Sequence, residues 1–571
     1  MLQSFRHSMA WLHTWFGLVL GYVLMACFFF GSLSVFDREI DRWAIPETRF
    51  DPQPMPSFDR MLLPALQRLQ PDEAHYEDEL RRLMDPAVLA REGIPPRASL
   101  KADEYWAYTT HRDPVLRMGA GFTVPQPRDP TGHNHVHGEL TIDPRNGAPL
   151  PSDRLKIGSE FFYPMHYSLH LHWKDLGTWV VGLAALVMLA ALVSGVVMHR
   201  RIFRDFFTFR PNKHAQRSTL DLHNLTGVLA LPFHFFFALT GLIIFAAIYL
   251  PVSETMLRPL AHAHAALEAQ RTGLPHQRAG VAAPMASVDA MVAEAKRRWA
   301  ARDMPGEVGF LTIHHVGDRN AYVSIYRAGS DSVALVGYGV HFSAATGAVL
   351  REDPPRSAVG SINEFLTGLH LQHFEHWLLR WLYVLGGLLG CVCIATGFVF
   401  FVEKRKKPHA AAGSHGSRVV DALAVAAVTG MLVAALAMLV ANRLLPAGLP
   451  ARGDWEERLF WLAWLAALAH AAWRSAAVMQ ARLTPAWREQ CWAVAALALS
   501  AVLLNWLTTG DHLVRTVVTD TYWPVAGVDL SLLATAGIAA WAARRLARIE
   551  RDAAAPVAAA AAAEPVKVAH V

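Results

Sequence analysis

The amino-acid sequence predicts a mainly α, polytopic membrane protein of about eight transmembrane helices, built around a duplicated helix–outer domain–helix core. Three observations carry that prediction. Of 571 residues, 53% are hydrophobic and only 18% charged, and the mean hydropathy is +0.22, as in a chain that spends much of its length in lipid. Eight stretches reach or approach the roughly 20 apolar residues that a bilayer core about 30 Å thick requires. The chain also resembles itself at a fixed spacing.

The elements follow in order. The first helix, within 1–36, ends in Asp37-Arg38-Glu39 rather than at a small-residue cleavage site, so it is a retained span. A first outer domain occupies 37–176, a second helix 177–199, a connection 200–222 and a third helix 223–250. A second outer domain covers 251–377, a fourth helix 378–402 and a connection 403–418. Four added helices fill 419–546, and the Ala-rich tail, 547–571, reads as disordered. Arg200, Arg201, Arg204, Lys404, Arg405 and Lys406 fall on one side if the spans alternate, which places both termini in the cytoplasm.

The second outer segment has a soluble pattern. It predicts a helix over 286–302, strands over 308–313, 321–326 and 333–342, and a turn at Thr346-Gly347. The first outer segment is less regular, but 139–143 followed by Asn146-Gly147 echoes the last strand and turn.

The repeat locates the chemistry. With His13 placed on His223, Gly17 falls on Gly227 and Gly31 on Gly241, each displaced by 210 positions. Ser168-Leu169-His170-Leu171 resembles Gly368-Leu369-His370-Leu371, and Ser194-Gly195 resembles Thr396-Gly397. Both copies start on the same side, so the pseudo-two-fold axis runs along the membrane normal. His13 should then approach His223 in an inner layer, and His170 should approach His370 in an outer one.

Two imidazoles on facing helices suit a b-type haem, and two layers suit two. Gly17 and Gly227 lie one turn beyond their histidines, on the same face, where a missing side chain leaves room for a flat macrocycle. Gly31 and Gly241 would leave similar room in the outer layer. The competing reading is that small residues let membrane helices pack closely. His199, at the inner end of the second helix, and His166, His172, His373 and His376, around the outer pair, keep the outer ligand open among several residues. His234 sits about 16 Å along the helix from His223, and it is a second candidate for axial ligation because ionisable residues at that depth are costly.

The remaining features are weaker. His133, His135 and His137 could bind a metal but read rather as an exposed loop; His262 and His264, and His314 and His315, carry the same two readings, and the last pair straddles the faces of a strand. Cys391 and Cys393 lie on different helix faces. Four cysteines exclude a disulfide scaffold, and a net charge of +5 is too small for a nucleic-acid binder, so the lipid bilayer is the expected partner. No nucleotide fingerprint or hydrolase motif is present, so electrons must come from elsewhere. No Asp or Glu lies well inside the first four spans, which ranks a transporter last.

On these residues the chain resembles the PepSY-associated transmembrane family. The Leu-His…Gly starts of helices one and three carry the likeness, with Asp221-Leu222-His223, the outer Leu-His pairs, Thr240-Gly241, Thr396-Gly397 and a PepSY-like unit around 286–352. The resemblance implies two α+β PepSY-like periplasmic domains. The extra histidines and added helices look like the branch that reduces ferric siderophores in the bacterial inner membrane. That likeness implies two haem b groups on His13, His223, His170 and His370, and it leaves His199 and His234 unsettled. It also implies electron transfer from a donor, a quinol for example, to a periplasmic ferric siderophore or other ferric chelate, with release of Fe(II). The runner-up expectation is a non-enzymatic PepSY-type sensor or peptidase regulator.

Overall fold

The computed structural model describes residues 5–110, 112–128, 134–151, 154–198, 210, 215–249, 272–275, 277–334, 337–476 and 484–563. It divides into a helical unit (Met1–Pro46, Asp153–Leu242, Leu378–Val571) and a sheet unit (Glu47–Ser152, Ile243–Trp377).

In the helical unit the first span is two helices, α1 (Phe5–Val19) and α2 (Gly21–Ser34), bent by 60° at Leu20. A single straight helix, α3 (Leu176–Met198), follows. The third span again breaks, between α4 (Ala215–Leu229) and α5 (Leu231–Ile244), with a 63° bend at Ala230. The fourth, α6 (Trp377–Ala411), is continuous. The two breaks lie 210 positions apart, the spacing of the histidines, so the repeat extends to backbone shape. Their local causes differ. Pro232, in the first turn of α5, has no amide to continue the preceding ladder. Gly21 opens α2 where an added methyl would sit 3.1 Å from the Phe398 ring.

The added helices are α7 (Gly416–Val425), α8 (Met431–Leu444), α9 (Arg452–Ala476), α10 (Ala486–Thr509) and α11 (Trp523–Ala563). Among the described residues five helices are long and apolar enough to cross a membrane, or seven if each bent pair is one span. The sixth expected span falls on α9, which carries Asp454, Glu456, Glu457 and Arg458 near its start and is not one of them. The alanine run expected to be disordered continues α11 as helix to Ala563, as the high helix propensity of alanine allows. The added helices anchor on the core. Fully buried Trp43 donates its indole N–H to Asp529 at 2.8 Å, and Asn505 donates to the other carboxylate oxygen at 3.1 Å.

In the sheet unit, two separate domains were expected and one is found. Its strands, β1 (Ala102–Thr110), β2 (Asp113–Thr123), β3 (His135–Ile142), β4 (Val308–His314), β5 (Tyr322–Arg327), β6 (Gly339–Ser343) and β7 (Val349–Glu352), form one antiparallel sheet in the order β3-β2-β1-β4-β5-β6-β7. The halves join by β1–β4 pairing, from Glu104↔His314 to Tyr108↔Phe310. Each half alone would leave a long edge strand with unpaired amides and carbonyls, and the pairing covers both edges. The two echoing turns match: Gly147 donates to the Asp143 carbonyl and Gly347 to the Ser343 carbonyl, each at 2.8 Å, with φ of 75° and 72°.

One face of the sheet packs under helix Val288–Ala300 and the short helices of the first half, burying Leu62, Leu80, Leu311, Ile325, Trp299 and Phe342 completely or nearly so. The halves also exchange helix caps. Ser57 Oγ donates to Asp289 at 2.5 Å, and the Phe58 amide donates to the same carboxylate at 2.7 Å. Reciprocally, Ser287 Oγ donates to Asp59 at 2.6 Å and the Val288 amide at 3.0 Å. Each carboxylate thus satisfies the orphan donors of the other half's helix start.

Candidate histidine site

His13 lies on α1 and His223 on α4, both half-buried, with ring centroids 6.1 Å apart and planes at 83°. Each ring is held by the helix that follows it in its own repeat. His13 Nδ1 donates to the Ala191 carbonyl at 3.0 Å, and His223 Nδ1 donates to the Cys393 carbonyl at 2.7 Å. A carbonyl can only accept, so both rings carry a proton on Nδ1; in the neutral imidazole this leaves the Nε2 lone pair free, the tautomer that metal-ligating histidines commonly adopt.

The residues four positions later complete the seats. An added methyl at Gly195 or at Gly397 would come within 3.4 Å of the His13 or His223 ring respectively. Ser194 and Thr396 donate their hydroxyls to the same Ala191 and Cys393 carbonyls, at 3.0 and 2.9 Å. The Ser-Gly and Thr-Gly pairs are visible in the sequence, but their role as seats needs the helix packing.

The inner pair can be tested against the haem that the sequence implies. Two metal–imidazole bonds of about 2 Å, plus about 1 Å from each nitrogen to its ring centre, put the centroids about 6 Å apart. The observed 6.1 Å fits. A methyl at Gly17 would meet nothing within 4 Å, so that glycine leaves open space, whereas one at Gly227 would touch the Cys393 sulfur at 3.4 Å.

The outer layer is less symmetric. A methyl at Gly31 would strike the His166 ring, so the room expected there for a macrocycle is filled by that imidazole. His166 Nδ1 donates to the Cys27 carbonyl at 2.8 Å, the same anchoring as the inner pair. His170 instead stacks on Phe161, with centroids 4.5 Å apart, and donates from Nε2 to the Phe161 carbonyl at 3.0 Å. Buried His234 donates from Nε2 to the Gly386 carbonyl at 3.3 Å and packs against Phe28. Gly241 lies on α5. His370 ends helix Ala358–Leu371 and His373 follows it, both in the sheet unit. His199, His133, His262 and His264 lie outside the described residues.

A second group of histidines gathers on the sheet unit. A bulge between Ala102 and Glu104 places Asp103 opposite no partner on β2. Asp103 meets His135 at 3.6 Å and His315 at 3.5 Å and pairs with Arg278, while His314 lies 3.6 Å from Glu104. Burial raises the Asp103 carboxyl, but His135, His315 and Arg278 outweigh it and hold the group well below its ordinary range. Burial pushes His314 below its usual value, against the pull of Glu104. The loop and opposite-face readings of these histidines are therefore revised: His135 and His137 are in β3, and His315 turns at a φ of 57° beyond the end of β4. Among the described residues no three His, Cys, Asp or Glu side chains are arranged to hold a metal ion.

A family model described as the PepSY-associated TM region matches residues 10–404. The chain is also 28% identical over 323 residues to an uncharacterized protein of Pseudomonas aeruginosa, covering 53% of this chain and 77% of that protein.

Proposed function

The chain belongs to the PepSY-associated transmembrane family, and from that premise we propose that it is a haem-carrying oxidoreductase of the bacterial inner membrane that reduces a periplasmic ferric chelate. The observation that carries the reading is the duplicated inner pair, His13 and His223, 6.1 Å apart with both Nε2 atoms free. Haem b, when bound there, supplies a one-electron redox centre. The chain's own residues do the rest: His13 and His223 would hold the haem iron through Nε2, the Ala191 and Cys393 carbonyls hold the tautomers, and Gly195 and Gly397 give the rings their seats.

For a second haem b the repeat favours His170 and His370, while the ring anchoring of His166 favours that residue. Each ferric siderophore or related chelate takes one electron and becomes ferrous, which such ligands hold less tightly. A quinol donor would release two electrons and two protons, and so serve two iron centres. Both termini are assigned to the cytoplasm.

The test is an absorbance spectrum of the purified chain. A b-type Soret band that shifts on reduction is expected, with the inner-site part lost in His13→Ala and His223→Ala. A colourless protein would overturn the reading and leave the non-enzymatic sensor or peptidase-regulator alternative.

A further inference from the structure

The face of the sheet turned away from its helical layer has an unusual composition. An antiparallel sheet with one face in the core normally carries polar side chains on the other. Here β1, β4 and β5 present nine positions on that face in three cross-strand rows, and five of the nine are aromatic. One row is entirely so: Tyr108 pairs with Phe310, and Phe310 with Tyr326. Phe310 and Tyr326 are tilted by 30° with centroids 5.9 Å apart, and Phe310 is 36% exposed. Trp106 holds the next row, and Tyr322, stacked on His314 at 4.7 Å, closes the third.

Glycines on the neighbouring strands flatten this surface. A methyl at Gly119 would collide with the Trp106 ring, and one at Gly339 would lie 2.8 Å from Tyr326. Both rings therefore lie across the adjacent strand, which is how a strand glycine admits close approach. At the end of the aromatic row stands Arg117, paired in register with Tyr108. It lies 3.5 Å from Asp113, and its buried Nε and Nη2 make no hydrogen bond. A flat aromatic floor ending in a guanidinium side chain that stays 23% exposed beside Asp113 matches an anionic ligand built of aryl rings.

We propose that this face binds the ferric chelate, and that the chelates it selects carry aryl iron ligands, phenolate or catecholate, rather than aliphatic ones. The proposal rests on the redox reading for the purpose of binding, but its geometry is independent of the histidine pair. Aryl rings stack on Phe310 and Tyr326, and Arg117 meets the negative charge of the ligand oxygens. A purely aliphatic chelate of similar charge gains only the Arg117 contact.

Gallium(III) complexes separate binding from reduction, because gallium(III) is not reduced where iron(III) is. The full chain in detergent is titrated calorimetrically with the gallium(III) complex of 2,3-dihydroxybenzoate and with that of citrate, an aliphatic ligand whose gallium(III) complex is also anionic. The aryl complex is expected to bind at least about tenfold more tightly. Phe310→Ala and Tyr326→Ala should each weaken it about tenfold, Phe310→Tyr should restore it, and Arg117→Gln should weaken both complexes. Equal affinity for the two complexes, or unchanged affinity in both alanine variants, overturns the proposal. If the aryl complex binds as expected to a chain with no Soret band, the platform stands and the redox reading falls. If the Soret band is present and the aryl complex shows no preference, the reverse holds.

Discussion

At the scale of single residues, the glycines that matter most are not the ones next to the histidines in sequence. Gly195 and Gly397 receive the rings, with an added methyl 3.4 Å away, an ordinary contact distance. Gly195→Ala and Gly397→Ala should therefore be tolerated. Leucine at either position must push the imidazole off its carbonyl, and reducible absorbance should fall while the yield of folded protein holds. Retention of full absorbance in both leucine variants would show that the rings are not seated for ligation. His13 and His223 were legible as candidates because they recur. Their tautomers were not, because a carbonyl on another helix decides them.

At the scale of elements, the repeat reads through to the bends at Leu20 and Ala230 and to the reciprocal caps. The caps could not be seen beforehand, since Ser57 and Asp289 are partners only once the two halves meet. Removing one carboxylate strands a serine hydroxyl and an amide at a helix start, a loss of about 1–2 kcal/mol. Asp59→Ala and Asp289→Ala should each lower the unfolding temperature of the chain by a few degrees, as followed by circular dichroism. The double variant should fall short of the sum, because both changes weaken the same joint between halves. Strict additivity would mean that the two caps act as independent local contacts. Strands β1, β2 and β7 escaped the sequence reading for a related reason: β2 carries Gly119 and Gly121 within its run, which blurs the alternation that signals a strand.

At the scale of the whole molecule, the join between outer segments predicts a pH dependence. Asp103 and Glu104 come from the first segment and Arg278, His314 and His315 from the second, with His135 facing them from β3. Burial holds His314 below its ordinary value of 6.5 in the folded state. The unfolded chain therefore takes up that proton first, and stability present above pH 6.5 is lost as the pH falls below it. The Asp103 carboxyl, held below its ordinary 3.8, loses its contribution only in stronger acid. Protection of β1 and β4 amides in the full chain, taken relative to the slower intrinsic exchange at lower pH, should thus fall between pH 7.5 and 5.5, and His314→Asn should flatten the effect. An unchanged slope in that variant would remove His314 as the cause.

The sequence by itself determined the class of protein, the membrane-spanning core, the family and the duplicated histidines, because apolar runs and internal spacing are properties of one dimension. The fusion of two outer segments into one sheet, the rings' anchors on Ala191 and Cys393, the filling of the Gly31 space by His166 and the aromatic floor were decided only in the tertiary structure. Each depends on residues more than a hundred positions apart being brought within hydrogen-bond or van der Waals reach, and no local pattern records which distant carbonyl, glycine or strand edge will be there.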